Sequence, residues 1–201
     1  MSVKLFYCDL ETGGVDKKKH PVLQIAGAIE IDGKIERRFE WKVKPFEWQE
    51  LDQEALDVCG FTPEMIETFE SPSKVFEQLK QILNDYVDFW DPKDKFHFVG
   101  YNAKFDDDFL REFFKNNART AKEVQFGNGY GNFFWVPPLD VMNLAALATF
   151  KNRGELSLPK FKLAPVTEFF GLKPDGKFHD AQADIDITIR LFKLLMGESN
   201  V

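Results

Sequence analysis

Two carboxylates one residue apart, Asp9 and Glu11, close an apolar run that begins at Leu5 and ends at Thr12 before the pair Gly13-Gly14. The run reads as a central strand. Residues two apart on a strand point to the same side, so Asp9 and Glu11 face one site while Cys8 and Leu10 pack on the other. Two like charges held that close need a cation, or one of them must take up a proton. Taken alone, the pair fits equally well a strand end with exposed acids and a metal site.

Two later segments place acids in similar settings. In Asn102-Ala-Lys-Phe-Asp106-Asp-Asp-Phe-Leu110 a helix begins just past a strand and carries carboxylates among core residues. In His179-Asp-Ala-Gln-Ala-Asp184 the acid sits among apolar neighbours on the first turns of the last helix, where a charge wants a partner. Five residues on a helix are about 140° of rotation, so His179 and Asp184 do not share a helical face. The more natural placement sets His179 on the loop before the helix, free to swing, with Asp184 fixed on it, a division that suits a mobile general base beside a rigid metal ligand.

The elements that must position these residues follow in order. After the Gly13-Gly14 turn and the Lys17 to His20 run, which reads as a solvated loop, residues 21–31 and 35–43 form strands joined by the hairpin turn Asp32-Gly33. With the first strand they make a three-stranded antiparallel meander. Residues 45–61 read as a loop with short helical pieces, Cys59 among them. Thr62-Pro63 and Ser71-Pro72 read as helix starts. The helix after Ser71 sets Val75, Phe76, Leu79, Ile82, Leu83, Tyr86 and Trp90 on one face and stops at Asp91-Pro92. Residues 96–100 form a short strand and 102–114 the helix after it. Residues 117–138 have no clear period and read as an inserted loop or hairpin. Helices follow from Leu139 to Gly154, over 160–170 and over 180–196. The pattern is α/β, a mixed sheet of the meander plus parallel strands, flanked by helices.

Composition bounds the rest. The chain has 201 residues, enough for one domain with a substantial core. Of its 22 Phe, most belong to the core. Its two cysteines make neither a disulfide framework nor a metal cluster, which fits a reducing compartment. The first strand starts by about Val3, leaving no room for a targeting peptide, and no apolar run reaches the roughly 18 residues of a membrane span. A soluble, cytoplasmic protein without a membrane partner is expected.

The net charge of −7 is regional: residues 46–94 hold 13 acidic and 3 basic side chains, the remainder 20 and 23. A basic face for nucleic acid therefore stays open. Residues 151–177, with six basic and three acidic side chains including Lys160 and Lys162, are the candidate phosphate-tracking edge.

The three acidic segments resemble, in order, the three exonuclease motifs of the DEDD superfamily of 3′-to-5′ exonucleases. The third, His179-x4-Asp184, looks like the histidine branch, since the tyrosine branch would need Tyr where this chain has Asp180. Residues 59–65, the helix after Ser71, Leu139-Asp140 and residues 162–171 look like the proofreading epsilon-subunit group of bacterial replicative DNA polymerase. The resemblance covers nearly the whole chain, with 117–138 the poorest fit. Tyr101 and Cys59 depart from it, standing where many relatives carry His.

The resemblance implies a ribonuclease-H-like fold in a single exonuclease domain over 1–201. It also implies release of 5′-mononucleotides from nucleic acid 3′ ends, with single-stranded DNA favoured over RNA, and docking on a DNA polymerase subunit. Two divalent ions, Mg²⁺ or Mn²⁺, suit oxygen ligands. Asp9 would bridge them, Glu11 and Asp184 would complete the nucleophile-side site, and Asp106 would hold the second ion through water. His179 would take the proton of the attacking water. Thr12, Gly13, Asn102 and Phe105 make up the implied substrate-binding set, with main-chain groups near Thr12 and Gly13 receiving the 3′-hydroxyl. Phe105 either stacks on a base or packs in the core, the latter favoured. Asp107, Asp108 and Asp180 read as a solvated face, and Asp140 as a helix cap. Three rival readings keep parts of this: an RNA-trimming or short-oligoribonucleotide exonuclease, a polymerase accessory subunit without turnover, and a phosphoesterase of small molecules.

Overall fold

The computed structural model describes residues 2–153, 161–173 and 181–198. Its five-stranded sheet has the order β3-β2-β1-β4-β5. The strands are β1 (Lys4–Thr12), β2 (Val22–Ile31), β3 (Lys34–Lys42), β4 (His97–Gly100) and β5 (Leu139–Asp140). β1 runs antiparallel to β2 and parallel to β4, β2 antiparallel to β3, and β4 parallel to β5. The meander and the parallel strands of the sequence reading are both present. The hairpin turn is at Asp32 and Gly33, both with positive φ (49° and 86°), as a tight two-residue connection requires.

β1 and β2 read as near-continuous apolar runs because both faces of the sheet are covered. On one face Phe6, Cys8 and Leu10 pack with Val75, Phe76 and Leu79 of α3 (Pro72–Asn84) and Phe109, Leu110 and Phe114 of α4 (Ala103–Asn116). Phenylalanine dominates here: the Phe6 ring lies 5.2 Å from Phe39, 5.1 Å from Phe134 and 5.9 Å from Phe96 and Phe98. On the other face Leu5 and Tyr7 meet Val141 and Ala145 of α7 (Val141–Arg153), Val166 of α8 (Leu163–Phe169), and Ala181, Ile185 and Phe192 of α9 (Ala181–Leu195). The shorter α1 (Gln53–Cys59) and α2 (Pro63–Glu67) close a third cluster around Leu23, Leu56, Phe61 and Ile66. Thr62 and Ser71 accept the capping bonds from the Met65 and Lys74 amides, each with proline in the first turn.

Gly27 shows how tightly β1 and β2 are fitted. A Cβ there would lie 2.2 Å from the Tyr7 carbonyl oxygen and 2.4 Å from the Phe39 ring. Gly27→Ala is therefore expected to destabilise the fold by about 2–3 kcal/mol, read as a shifted denaturant midpoint with an unchanged slope.

The structure departs from the sequence reading in four places. Residues 117–138 are not a hairpin: they form α5 (Ala121–Gln125), a 3₁₀ turn (Gly127–Gly129) and α6 (Tyr130–Phe133), returning at Phe134 to bridge Phe96. The segment from Leu139 begins as a strand, β5, because its two residues extend the parallel edge beside Val99 and Gly100. Helix α3 ends at Asn84, and Trp90 is not on its packed face but 94% exposed. Cys59 ends α1 rather than lying in a loop.

Candidate active site

The carboxyl end of a central strand in an open α/β sheet is where loops diverge and ligands bind. β1 ends there with Asp9 opposite Ala26 and Glu11 opposite Gln24. Both side chains are partly buried, on the face covered by α9. Asp184 arrives in the first turn of α9, also partly buried. Gln182 fixes that turn to the sheet by donating to the Phe39 carbonyl at 3.1 Å.

Asp106 comes from the first turn of α4 and is 4% exposed. Its Oδ1 accepts from the Leu10 amide at 3.1 Å, so it is bonded directly to the strand that carries the other two acids. The entry to α4 is held from the neighbouring strand. Asp140 Oδ1 accepts from both the Asn102 amide (3.1 Å) and the Met142 amide (3.0 Å), while Asn102 adopts the left-handed conformation with φ 62°. Asp140 thus caps α7, as the sequence suggests, and also clamps the turn that delivers Asp106.

These acids act on one another. Burial, then the charges of Glu11 and Asp184, push the Asp9 carboxyl up to about 8. Burial, then Asp184, push Glu11 up to about 7. Asp106 is raised well above the carboxylate range by burial and by Asp9, against the opposing bond from the Leu10 amide. The four carboxylates therefore form one charge cluster that cannot be fully ionised without a compensating cation. Among the described residues no three His, Cys, Asp or Glu side chains close into a finished ligand set. The donor chemistry nonetheless fits hard divalent ions: oxygen donors on rigid elements, with mutual repulsion that a cation would relieve.

The implied substrate-binding residues are near the same strand end. The Thr12 hydroxyl donates to the Gly14 carbonyl at 2.8 Å. The Gly13 amide donates to the Pro21 carbonyl (2.9 Å) and its carbonyl accepts from the Asp52 amide (2.8 Å). The Gly13 amide is thus engaged within the loop, leaving carbonyl lone pairs rather than that N–H for a substrate hydroxyl. Phe105 is part-buried with its ring 4.7 Å from Phe109, in keeping with a packing role. His179, Asp180 and Lys160 lie outside the described residues; Lys162 is exposed at the start of α8.

Two neighbours of the cluster, Asp107 and Asp108, differ from the sequence reading, and a third, Cys59, lies beside it. Asp107 is not on a solvated face: it is 3% exposed, accepts from the Tyr130 hydroxyl at 2.6 Å and pairs with Arg111 Nε at 2.7 Å. The Arg111 guanidinium also lies 4.3 Å from the Tyr130 ring centroid. A buried charge needs such partners, and Tyr130 is supplied by the segment without a readable period. Asp108 is half-buried and holds Lys17 (2.8 Å) and Lys104, so it anchors the 13–20 loop to α4. Cys59 is close enough to Glu11 for that charge, after burial, to push its thiol up.

Comparison with known proteins decides the family. A family model described as RNase T exonuclease matches residues 6–192, a span containing all three acidic segments. The chain belongs to this exonuclease family. Its members are DEDD 3′-to-5′ exonucleases, in agreement with the motif reading; the assignment to the histidine branch rests on the sequence at His179 and Asp180. The family member is 27% identical over 185 residues to a DNA polymerase III of PolC type from Thermotoga maritima, covering 92% of this chain and 11% of the relative. Its fold matches E. coli exonuclease I in complex with a dT13 oligonucleotide, with a TM-score of 0.73, 22% identity, and coverage of 98% of this chain and 41% of the other. The same enzyme with a dA16 oligonucleotide gives a TM-score of 0.72 at 22% identity, covering 98% and 41%. The exonuclease chain is thus about a tenth the length of the polymerase relative and about two fifths that of exonuclease I. The sheet order and flanking helices are those of the ribonuclease-H-like exonuclease fold.

Proposed function

We propose that residues 1–201 form a single exonuclease domain that removes 5′-mononucleotides from the 3′ end of single-stranded DNA with the help of two divalent ions, Mg²⁺ or Mn²⁺. The observation that carries this reading is the cluster of Asp9, Glu11, Asp106 and Asp184 at the end of the central strand, in which burial and neighbouring acids raise the first three carboxyls, Asp184 acting on Asp9 and Glu11, in a chain of the exonuclease family. DNA is favoured over RNA because the PolC-type relative is a DNA polymerase and the matched exonuclease I structures hold oligo-dT and oligo-dA. A polymerase subunit as partner is supported by the same relative, and a cytoplasmic setting by the free thiols of Cys8 and Cys59.

Asp9 and Glu11 would hold the ions from the strand, Asp184 from α9 and Asp106 from α4. Bound there, divalent ions supply positive charge against the anionic phosphate and make water a better nucleophile near neutral pH. The protein's own groups do the rest. His179, an imidazole and so of the side-chain type suited to proton transfer near neutral pH, would accept the proton of the attacking water. The loop at Thr12 and Gly13, held by Pro21 and Asp52, gives the terminal sugar a fixed wall. The Asp140 clamp on Asn102 keeps α4, and with it Asp106, in register with β1.

Purified protein with Mg²⁺ or Mn²⁺ is expected to shorten single-stranded DNA from the 3′ end to 5′-monophosphates, with EDTA stopping the reaction. Oligonucleotides blocked at either end test the polarity. A 3′-phosphate should slow degradation and a 5′ block should not; the reverse pattern would refute the assignment. Matched RNA oligomers in the same assay distinguish an RNA-trimming enzyme, which would degrade them faster.

A further inference from the structure

Asp106 and Asp107 are consecutive residues of α4, and both are buried. Consecutive helical residues point about 100° apart, so the two carboxylates reach different neighbours. Asp106 turns to β1, where its Oδ1 accepts from the Leu10 amide at 3.1 Å. Asp107 turns to α6, where its Oδ1 accepts from the Tyr130 hydroxyl at 2.6 Å, while its Oδ2 accepts from Arg111 Nε at 2.7 Å. Both Asp107 oxygens are thus engaged within the protein.

Tyr130 is a firm anchor. It is buried, with its ring 5.1 Å from Phe114 and 4.6 Å from Phe134. The segment that carries it is tied down on both sides. Asn128 Nδ2 donates to the Phe114 carbonyl (3.0 Å), the Phe96 amide donates to the Phe133 carbonyl (2.8 Å), and the Trp135 amide donates to the Phe96 carbonyl (2.9 Å). Burial, then the Asp107 charge, push the Tyr130 phenol well above its ordinary range, so the hydroxyl keeps its proton and stays the donor. Tethers on two adjacent residues, one to β1 and one to α6, fix the rotation of α4 about its axis. An oxygen about 6 Å from a helix axis moves by roughly 1 Å when the helix turns by about 10°. Groups that bind ions or do chemistry must be held within about 0.5 Å.

We propose that Tyr130 is a positioning residue for the exonuclease reaction: its bond to Asp107 sets the rotation of α4 and so aims the Asp106 carboxylate at the ion it holds. The inference rests on the reading of Asp106 as an ion ligand. Asp107 transmits the hold because it is the next residue on the same turn. The segment 117–138, whose sequence has no period, thereby gains a task at the active site, since it supplies the hydroxyl on which the setting of Asp106 depends.

Tyr130→Phe tests this, because it removes one oxygen and keeps the ring. In the metal-free variant the Leu10 amide, which donates to Asp106, should exchange with solvent faster, beyond any loss shared with the Phe6 and Ala28 amides in the middle of the sheet. Calorimetric titration should show Mn²⁺ affinity lowered about 10–100-fold for one ion, the usual cost of losing a partner behind a metal ligand. Asp107→Asn should weaken the same ion, and the double variant should be little worse than either single one, because both act through one bond. Leu83→Ala, a core truncation in α3, should lower stability and leave Mn²⁺ affinity at the wild-type level. If wild type itself binds no Mn²⁺, the metal reading fails and this inference with it. If wild type binds and Tyr130→Phe binds as tightly, or Leu10 loses no more protection than Phe6 and Ala28, or the effects of the two substitutions simply add, this inference alone fails. So it does if Leu83→Ala loses Mn²⁺ equally.

Discussion

Asp9→Asn is expected to abolish turnover and at the same time to make the metal-free protein more stable. Both effects come from one fact, that Asp9 is pushed up to about 8 by burial and by the charges of Glu11 and Asp184. In the unfolded chain the same carboxyl ionises near its ordinary value of 3.8. Between these two values the folded state binds a proton that the unfolded state has already lost, so stability falls as pH rises through the window from about 4 to about 8. Glu11, raised to about 7 from 4.5, acts in the same direction over a narrower range. Metal-free wild type should therefore lose stability steadily between these limits from this cluster. Asp9→Asn removes the central charge, flattens that slope and raises the melting temperature at pH 8 by roughly 5–10 °C. Activity falls to background because the amide cannot replace the charge that two cations need. Thermal melts with and without EDTA, across pH, check the first part. A variant less stable than wild type at pH 8 without metal would show that the four acids are not held in mutual repulsion.

His179→Ala should lower the rate by about 10²–10⁴, the usual effect of losing a general base, while Mn²⁺ binding stays at the wild-type level. The acid limb that an imidazole base gives the pH–rate profile should vanish in the variant. The contrast with Asp9→Asn separates the two roles: one variant loses ions and chemistry together, the other loses chemistry alone. Equal loss of Mn²⁺ binding in both would make His179 a ligand instead.

What could be read from the sequence was what local spacing controls. Asp9 and Glu11 share a face because strand residues alternate. Asp32-Gly33 turns because its φ angles are positive, and Thr62 and Ser71 start helices because their oxygens cap them. Asp106 and Asp184 stand out as acids among apolar neighbours, and each is found in the first turn of a helix at the sheet. What could not be read depends on partners distant in sequence. Asp107 sits beside Asp106 in sequence and looks solvated, yet Tyr130, 23 residues away, buries it. That residue comes from 117–138, whose short helices and glycines carry no period. β5 has two residues, too few for alternation, and is defined by its neighbour β4. Trp90 fits the helical spacing of α3, but the helix stops at Asn84 and the turn beyond it points the indole outward. The Asp140 clamp on Asn102 has no sequence signal beyond the helix cap it also provides.

The same coupling of acids also links metal binding to proton release. If the raised carboxylates hold ions, each must give up its proton to do so, and binding near neutral pH must expel protons into the buffer. Calorimetric titration of Mn²⁺ into the metal-free protein at pH 7, in buffers of different ionisation enthalpy, measures stoichiometry and proton release together. Two ions per chain with net proton release, both lost in Asp9→Asn, is the result expected if Asp9, Glu11, Asp106 and Asp184 form the catalytic metal site. Absence of stoichiometric binding, or binding that Asp9→Asn leaves unchanged, would contradict it.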